Sequence, residues 1–279
     1  MEQKYSNLHQ DASQRYVSIL GGTRADLILK SRDSVLFHVH TKVLSASSTN
    51  NFRGLAVAKS FSIEEHSENL RIILDIVYRN PSAAVDYAPP FAFNRLAEAI
   101  GRLSVYGVSL QTQLQQAPKH PILQALCPHA ATHALQLYIL AAKNNVEALA
   151  VVASTYLVGL QIADITDEHA EAMGPSYLRR LLMLRIQREE SLKKILLQPP
   201  YPHPLTPDCD VLDQKALTRS WTLSAAYFAW DIRADLPPTA LETLLGPLAG
   251  HVTCDQCKRS IAAQVAKIMA EWEAVKGSI

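Results

Sequence analysis

The stretch His251-x-x-Cys254-x-x-Cys257 gathers an imidazole and two thiols within seven residues. Two thiolates three residues apart can share one Zn²⁺, and His251 is placed to be a third ligand. A closed tetrahedral site needs a fourth; Cys209 or His203, across a proline-rich stretch, are the candidates. No second Cys-x-x-Cys and no paired-histidine motif accompanies them, and the pair lacks the strand–turn–helix setting of a thioredoxin-like redox centre. The expectation is therefore cysteines at a helix start, with no metal and no cofactor. Zinc on His251, Cys254, Cys257 and Cys209 or His203 stands as the alternative.

Other reactive residue types are present without a reaction to join them. His38 and His40 alternate on a strand-like run, which points them to opposite faces, so they cannot grip one metal together. Arg179, Arg180, Arg185 and Arg188 precede Glu189 and Glu190, the pattern of a solvated helix face. Asp164, Asp167 and Glu168 surround Thr166 and suit a helix start, where acids complement the dipole. No phosphate-cradling glycine loop, G-x-S-x-G elbow or H-E-x-x-H pair occurs. No catalytic residue is assigned, and neither an enzyme nor a small-molecule substrate is expected.

The whole chain narrows the classes further. Of 279 residues, 48% are apolar and 19% charged, enough to build a core. Lys plus Arg number 27 against 26 Asp plus Glu, for a net charge of +1. That balance argues against a partner recognised mainly through charge, nucleic acid or anionic membrane. No apolar stretch approaches the roughly 20 residues that span a bilayer. The opening Met1-Glu2-Gln3-Lys4-Tyr5 lacks the apolar core of a secretory signal. Four cysteines in so long a chain do not make a disulfide scaffold, so the expected compartment is cytoplasm or nucleus.

The elements that must position these residues fall into five regions. Residues 1–23 are polar and read as an N-terminal arm. From residue 24 to 115 short strand-like runs alternate with helices. Leu27 to Leu29 and Val35 to Val39 flank the turn residues Ser31-Arg32-Asp33-Ser34 and predict a hairpin. Two short helices around Thr49-Asn50-Asn51 follow, then a strand at Phe61-Ser62-Ile63. Next comes a helix with an apolar face of Leu70, Ile73, Leu74, Val77 and Tyr78, stopped by Asn80-Pro81. Residues 120–197 read as helices only. Among them one from Pro175 buries Leu178, Leu181, Leu182 and Ile186 and carries Glu189–Lys193 and Glu190–Lys194 pairs. Residues 198–210 hold five prolines and form an extended linker or a strap across a surface. Residues 211–279 are helical again, with Leu217, Trp221, Ala225, Phe228 and Ile232 on one face and Trp230 on another. Thr239-x-x-Glu242 reads as a capping box.

The runs Ala25-Asp26-Leu27-Ile28-Leu29, Val35-Leu36-Phe37-His38-Val39-His40, Lys42-Val43-Leu44-Ser45-Ala46-Ser47-Ser48 and Asn51-Phe52-Arg53 together resemble the opening of the BTB/POZ family. Their flavour is that of the BTB proteins of basidiomycete fungi. Residues 121–190 are similar, more faintly, to the helical BACK domain that follows in such proteins. The resemblance implies an α+β class: short strands flanking a helical cluster, then an all-α extension. It makes Asp26, Phe37, His40, Leu44 and Phe52 the structural motif, with the His40 ring satisfying buried backbone groups. It implies a non-enzymatic protein-interaction module, a homodimer whose seam lies near the arm, Leu27 and Leu29, and recruitment of a protein partner. A cullin-3 ubiquitin-ligase adaptor and a zinc-stabilised binding protein are the alternatives. Two family features do not carry over. The basic residue after the strand-end His is Thr41 here, and the apolar-x-Glu letters Ile63-Glu64-Glu65 fall after the strand instead of before it.

Overall fold

The computed structural model describes residues 16, 23–55, 60–230 and 232–279, with the backbone alone at 60 and 61. Apart from Tyr16 and Thr23, the expected N-terminal arm lies outside the described residues. The chain divides into two compact units, 1–153 and 154–279, a division that falls inside the stretch 120–197.

In the first unit β1 (Leu27–Lys30) and β2 (Leu36–Val39) pair antiparallel. Ser31 shapes the loop between them, its hydroxyl and backbone bonding Val35 across the turn. A third strand, β3 (Ser60–Ser62), adds to the free edge of β1 in parallel, giving the order β2-β1-β3. A central strand has no edge to offer, and period-two alternation turns Leu27 and Leu29 inward. Both are fully buried, which corrects the expectation that they lie at a dimer seam. The outer face of β1 carries Ile28 and Lys30 instead.

Helix α1 (Thr41–Ser47) follows β2 directly. Residues 49–54 form a turn, with Asn51, Phe52 and Arg53 all at positive φ; Leu55 after it is 3₁₀-helical, and the rest of the second short helix expected there lies outside the described residues. Ser48 holds that turn, its Oγ accepting from the N–H groups of Asn50 and Phe52 and donating to the Tyr106 carbonyl. The turn drives Phe52 into the core, stacked on Tyr106 at 4.7 Å.

Helix α2 (Ser67–Tyr78) is the axis of the unit. Apolar residues beyond the expected face are also buried, Ile72 and Ile76 among them, so it is enclosed on several sides. Helix α1 packs against it, as do α3 (Ala83–Asp86) and α4 (Phe93–Arg102); α5 (Leu110–Gln116), α6 (Pro121–Leu126) and α7 (Ala130–Lys143) follow, and α8 (Glu147–Ser154) runs up to the division between the units.

In the second unit α9 (Asp167–Leu196) opens on Thr166, whose Oγ1 accepts from the His169 N–H. It breaks at Gly174 (φ 71°, ψ 165°), and Pro175 restarts it. Ile186, expected in its buried face, is 42% exposed. Glu189 pairs backwards with Arg185 at 2.8 Å. Nor is the arginine row simply solvated. Arg185 donates to the Leu160 carbonyl, and Arg188 donates to the carbonyls of Ala234 and Val275 while lying 4.2 Å from the Trp272 ring.

The remaining helices are α10 (Val211–Trp230), α11 (Pro238–Leu245) and α12 (Asp255–Ala274). They enclose a core of Leu192, Leu196, Leu217, Trp221, Leu241, Leu245, Ile261, Ile268 and Trp272. The Thr239 capping box is absent. Extended Pro237 is the N-cap and Pro238 the first helical residue, so Thr239 already sits inside the turn.

Candidate functional sites

The motif residues of the first unit converge on backbone, not on a ligand. His40 ends β2 with its ring buried. Its N–H donates to the Tyr78 hydroxyl at 2.7 Å, and that hydroxyl's single proton then goes to His40 Nδ1 at 3.0 Å. Nε2 therefore keeps its hydrogen and donates to the Thr23 carbonyl at 3.0 Å. Burial pushes the Tyr78 phenol well above its ordinary range. Asp26 reaches from the strand to the start of α1, accepting from the Thr41 N–H at 2.8 Å and hydroxyl at 2.5 Å. Partial burial opposes its charge, but the two bonds from Thr41 outweigh that and hold the carboxyl below its usual range. Phe37, Leu44 and Phe52 are core. Glu65 is buried as well, with both Nε and Nη2 of Arg102 on its Oε1 at 2.7 and 2.6 Å.

Three polar groups of this unit escaped the sequence reading. Asp75 is fully buried and collects Tyr16, Asn80 and Tyr87. His120 caps α6, with Nδ1 accepting from the Ile122 N–H and Nε2 donating to the Ile76 carbonyl. His129 donates from Nε2 to the Tyr87 carbonyl. The available signal for Asp75 was one acid inside the apolar run from Leu70 to Val77.

In the second unit the sequence-distant thiols come together. The proline-rich stretch is a strap laid along α12, where Gln264 and Ser260 bond the carbonyls of Gln198 and Tyr201. The strap places His203, and a tight turn in which Thr206 and Cys209 exchange backbone bonds then delivers Cys209. Cys254 is the N-cap of α12, and Cys257 sits in its first turn. The ligand atoms of His203, Cys209, Cys254 and Cys257 all lie within 4.8 Å of one another. His203 Nε2 is 3.3 Å from Cys257 Sγ and 3.4 Å from Cys254 Sγ, and the sulfurs of Cys209 and Cys257 are 3.7 Å apart. His251, taken as a third ligand from spacing, is not in the cluster. It ends a 3₁₀ turn and is exposed, and extended Val252 carries the chain away from it.

Electrostatics prepares the sulfurs unequally. The backbone N–H groups of Cys257 and Gln256 at the helix start bring the Cys254 thiol down to about 7. Burial pushes the Cys257 thiol up to about 12 and also raises that of Cys209. His203 Nδ1 lies 2.7 Å from the Pro204 carbonyl, a pure acceptor, so it carries the proton and leaves the Nε2 lone pair facing the sulfurs.

A third feature is apolar. Helix α10 buries Leu217, Trp221 and Ala225 on one side, while Leu212, Leu223, Tyr227 and Trp230 line the opposite side at 72–94% exposure. Comparison with protein-family models, with curated proteins and with solved structures found no match for this chain.

Proposed function

We propose that this chain is a non-enzymatic protein-interaction module of the BTB/POZ type, self-associating through its first unit and recruiting a partner protein. The observation that carries the reading is the outer face of α10. Four large apolar side chains on one helical stripe, Trp230 at 94% exposure, cost free energy in water and gain it when another protein covers them. The hairpin with β3 beside it, the buried helix α2 and the inward role of Asp26, His40 and Phe52 support the family part of the reading. A buried Glu65 paired with Arg102 leaves the apolar-x-Glu letters unavailable to a cullin, so recruitment through some other surface is favoured over the cullin-3 adaptor.

Two measurements test this on the full chain. Light scattering at tens of micromolar should return twice the chain mass, and a monomer would remove the self-association. Affinity capture with wild type and with Tyr227→Asp/Trp230→Asp should recover a partner set that the double variant loses. An identical set from both would remove α10 as the recruiting surface, and recovery of the cullin N-terminal domain would revive the adaptor reading.

A further inference from the structure

We propose that His203, Cys209, Cys254 and Cys257 form a closed, structural Zn²⁺ centre that fastens the proline strap to the start of α12. The four ligand atoms lie within 4.8 Å of one another, and three of their separations can be set against a tetrahedron's edges. With Zn–S of about 2.3 Å and Zn–N of about 2.0 Å, tetrahedral edges are roughly 3.5–3.8 Å. The Cys209–Cys257 separation of 3.7 Å is such an edge, and the His203–sulfur distances of 3.3 and 3.4 Å fall just below one. A disulfide would need sulfurs at about 2.05 Å, and all four cysteines of the chain are free thiols.

The ligand chemistry selects the ion. Three thiolates and one imidazole make a soft N/S set, which suits Zn²⁺ and excludes Ca²⁺ or Mg²⁺. Four protein ligands leave no position for water or substrate, so the centre is structural. The outer shell is in place: His203 Nδ1–H donates to the Pro204 carbonyl, which fixes the tautomer, and Gln214 Nε2 donates to the His203 carbonyl at 3.0 Å. Zn²⁺ displaces the three thiol protons, which leave to solvent, and the filled site carries a net charge of −1. That charge sits at the N-terminus of a 20-residue helix, where the dipole favours it.

The site also answers a packing question. Cys209 and Cys257 belong to the core of the second unit, yet the strap that brings Cys209 there has few apolar anchors, with Tyr201 and Leu205 exposed. A metal bond at His203 and Cys209 supplies the fastening that burial does not.

The test uses full-length protein purified without affinity-tag metals from zinc-supplemented cells. Mass spectrometry of the metal should give one zinc per chain, and X-ray absorption at the zinc edge should give three sulfurs and one nitrogen. His203→Ala and Cys254→Ser should fall to a tenth of that content or less, His203→Cys should keep full zinc with a fourth sulfur, and His251→Ala should match wild type. A strong chelator should lower the wild-type melting temperature by about 10 °C or more, reversed by added Zn²⁺. Zinc well below one per chain, an oxygen-rich shell, loss of zinc in His251→Ala, or no response to chelator would each overturn the centre. Wild-type stoichiometry and absorption decide the matter even where a cysteine variant fails to fold. None of these outcomes bears on partner recruitment by α10, so the two readings fail separately.

Discussion

Asp75 is held without solvent contact between two tyrosine hydroxyls and an asparagine amide, with Arg71 at 3.8 Å. Removing the carboxylate deletes a buried acceptor shared by the Tyr87 hydroxyl and the Asn80 amide, while the Tyr16 hydroxyl keeps the Arg71 carbonyl at 3.2 Å, so Asp75→Ala should destabilise the first unit by about 2 kcal/mol in urea unfolding. A loss below ~1 kcal/mol would mean that Tyr87 and Asn80 find other acceptors. His120 gives a pH signature. Burial, with Arg79 adding to it and the Ile76 carbonyl opposing, holds its pKa below the ordinary value of about 6.5. As pH falls through that value the unfolded chain takes up a proton that the folded one refuses, so stability drops on the acid side of it. His120→Asn keeps a side-chain acceptor at the cap and removes this titration. Its stability should therefore change less than that of wild type between pH 7.5 and 5.5, and parallel curves would refute the assignment.

Among the elements, α9 depends on one residue for its break. Gly174 adopts φ 71° and ψ 165°, a region that side chains avoid even where space is open, and a Cβ there meets nothing within 4 Å. Gly174→Ala should therefore cost about 1–3 kcal/mol through backbone strain alone, read as a lower denaturant midpoint with an unchanged slope. Helix α10 shows the complementary case, in which the sequence carries two stripes and only packing tells them apart. Leu217, Trp221 and Ala225 enter the core, where the Trp221 indole donates to the Leu196 carbonyl at 3.0 Å, while Tyr227 and Trp230 stay outside. In α2 the expected single face gave way to burial on several sides, because α1, α3 and α4 all pack against it.

At the scale of the molecule, the charges nearly cancel, with a net of +1 over 279 residues. Association driven by apolar cover should then be weakly sensitive to salt. If the proposed self-association holds, its dissociation constant should change by less than about threefold between 0.05 and 0.5 M NaCl, measured by sedimentation. A steep salt slope would point to a charged seam instead. No helix among the described residues is long and apolar enough to cross a membrane.

From its residues alone the chain disclosed its α+β class, the hairpin, the all-helical later part and the cysteine pair at a helix start. Each of those follows from local period, turn chemistry or capping, which short sequence windows contain. Which side of β1 is buried, which histidine joins the thiols and what surrounds Asp75 depend on residues far away in the chain. His203 and Cys257 are 54 positions apart, Tyr16 and Asp75 59. Spacing favoured His251 because it lies three residues from Cys254, but an extended Val252 takes it away while the strap returns His203. Contacts of that span are chosen by how the strap and helices pack, and only the folded chain contains that information.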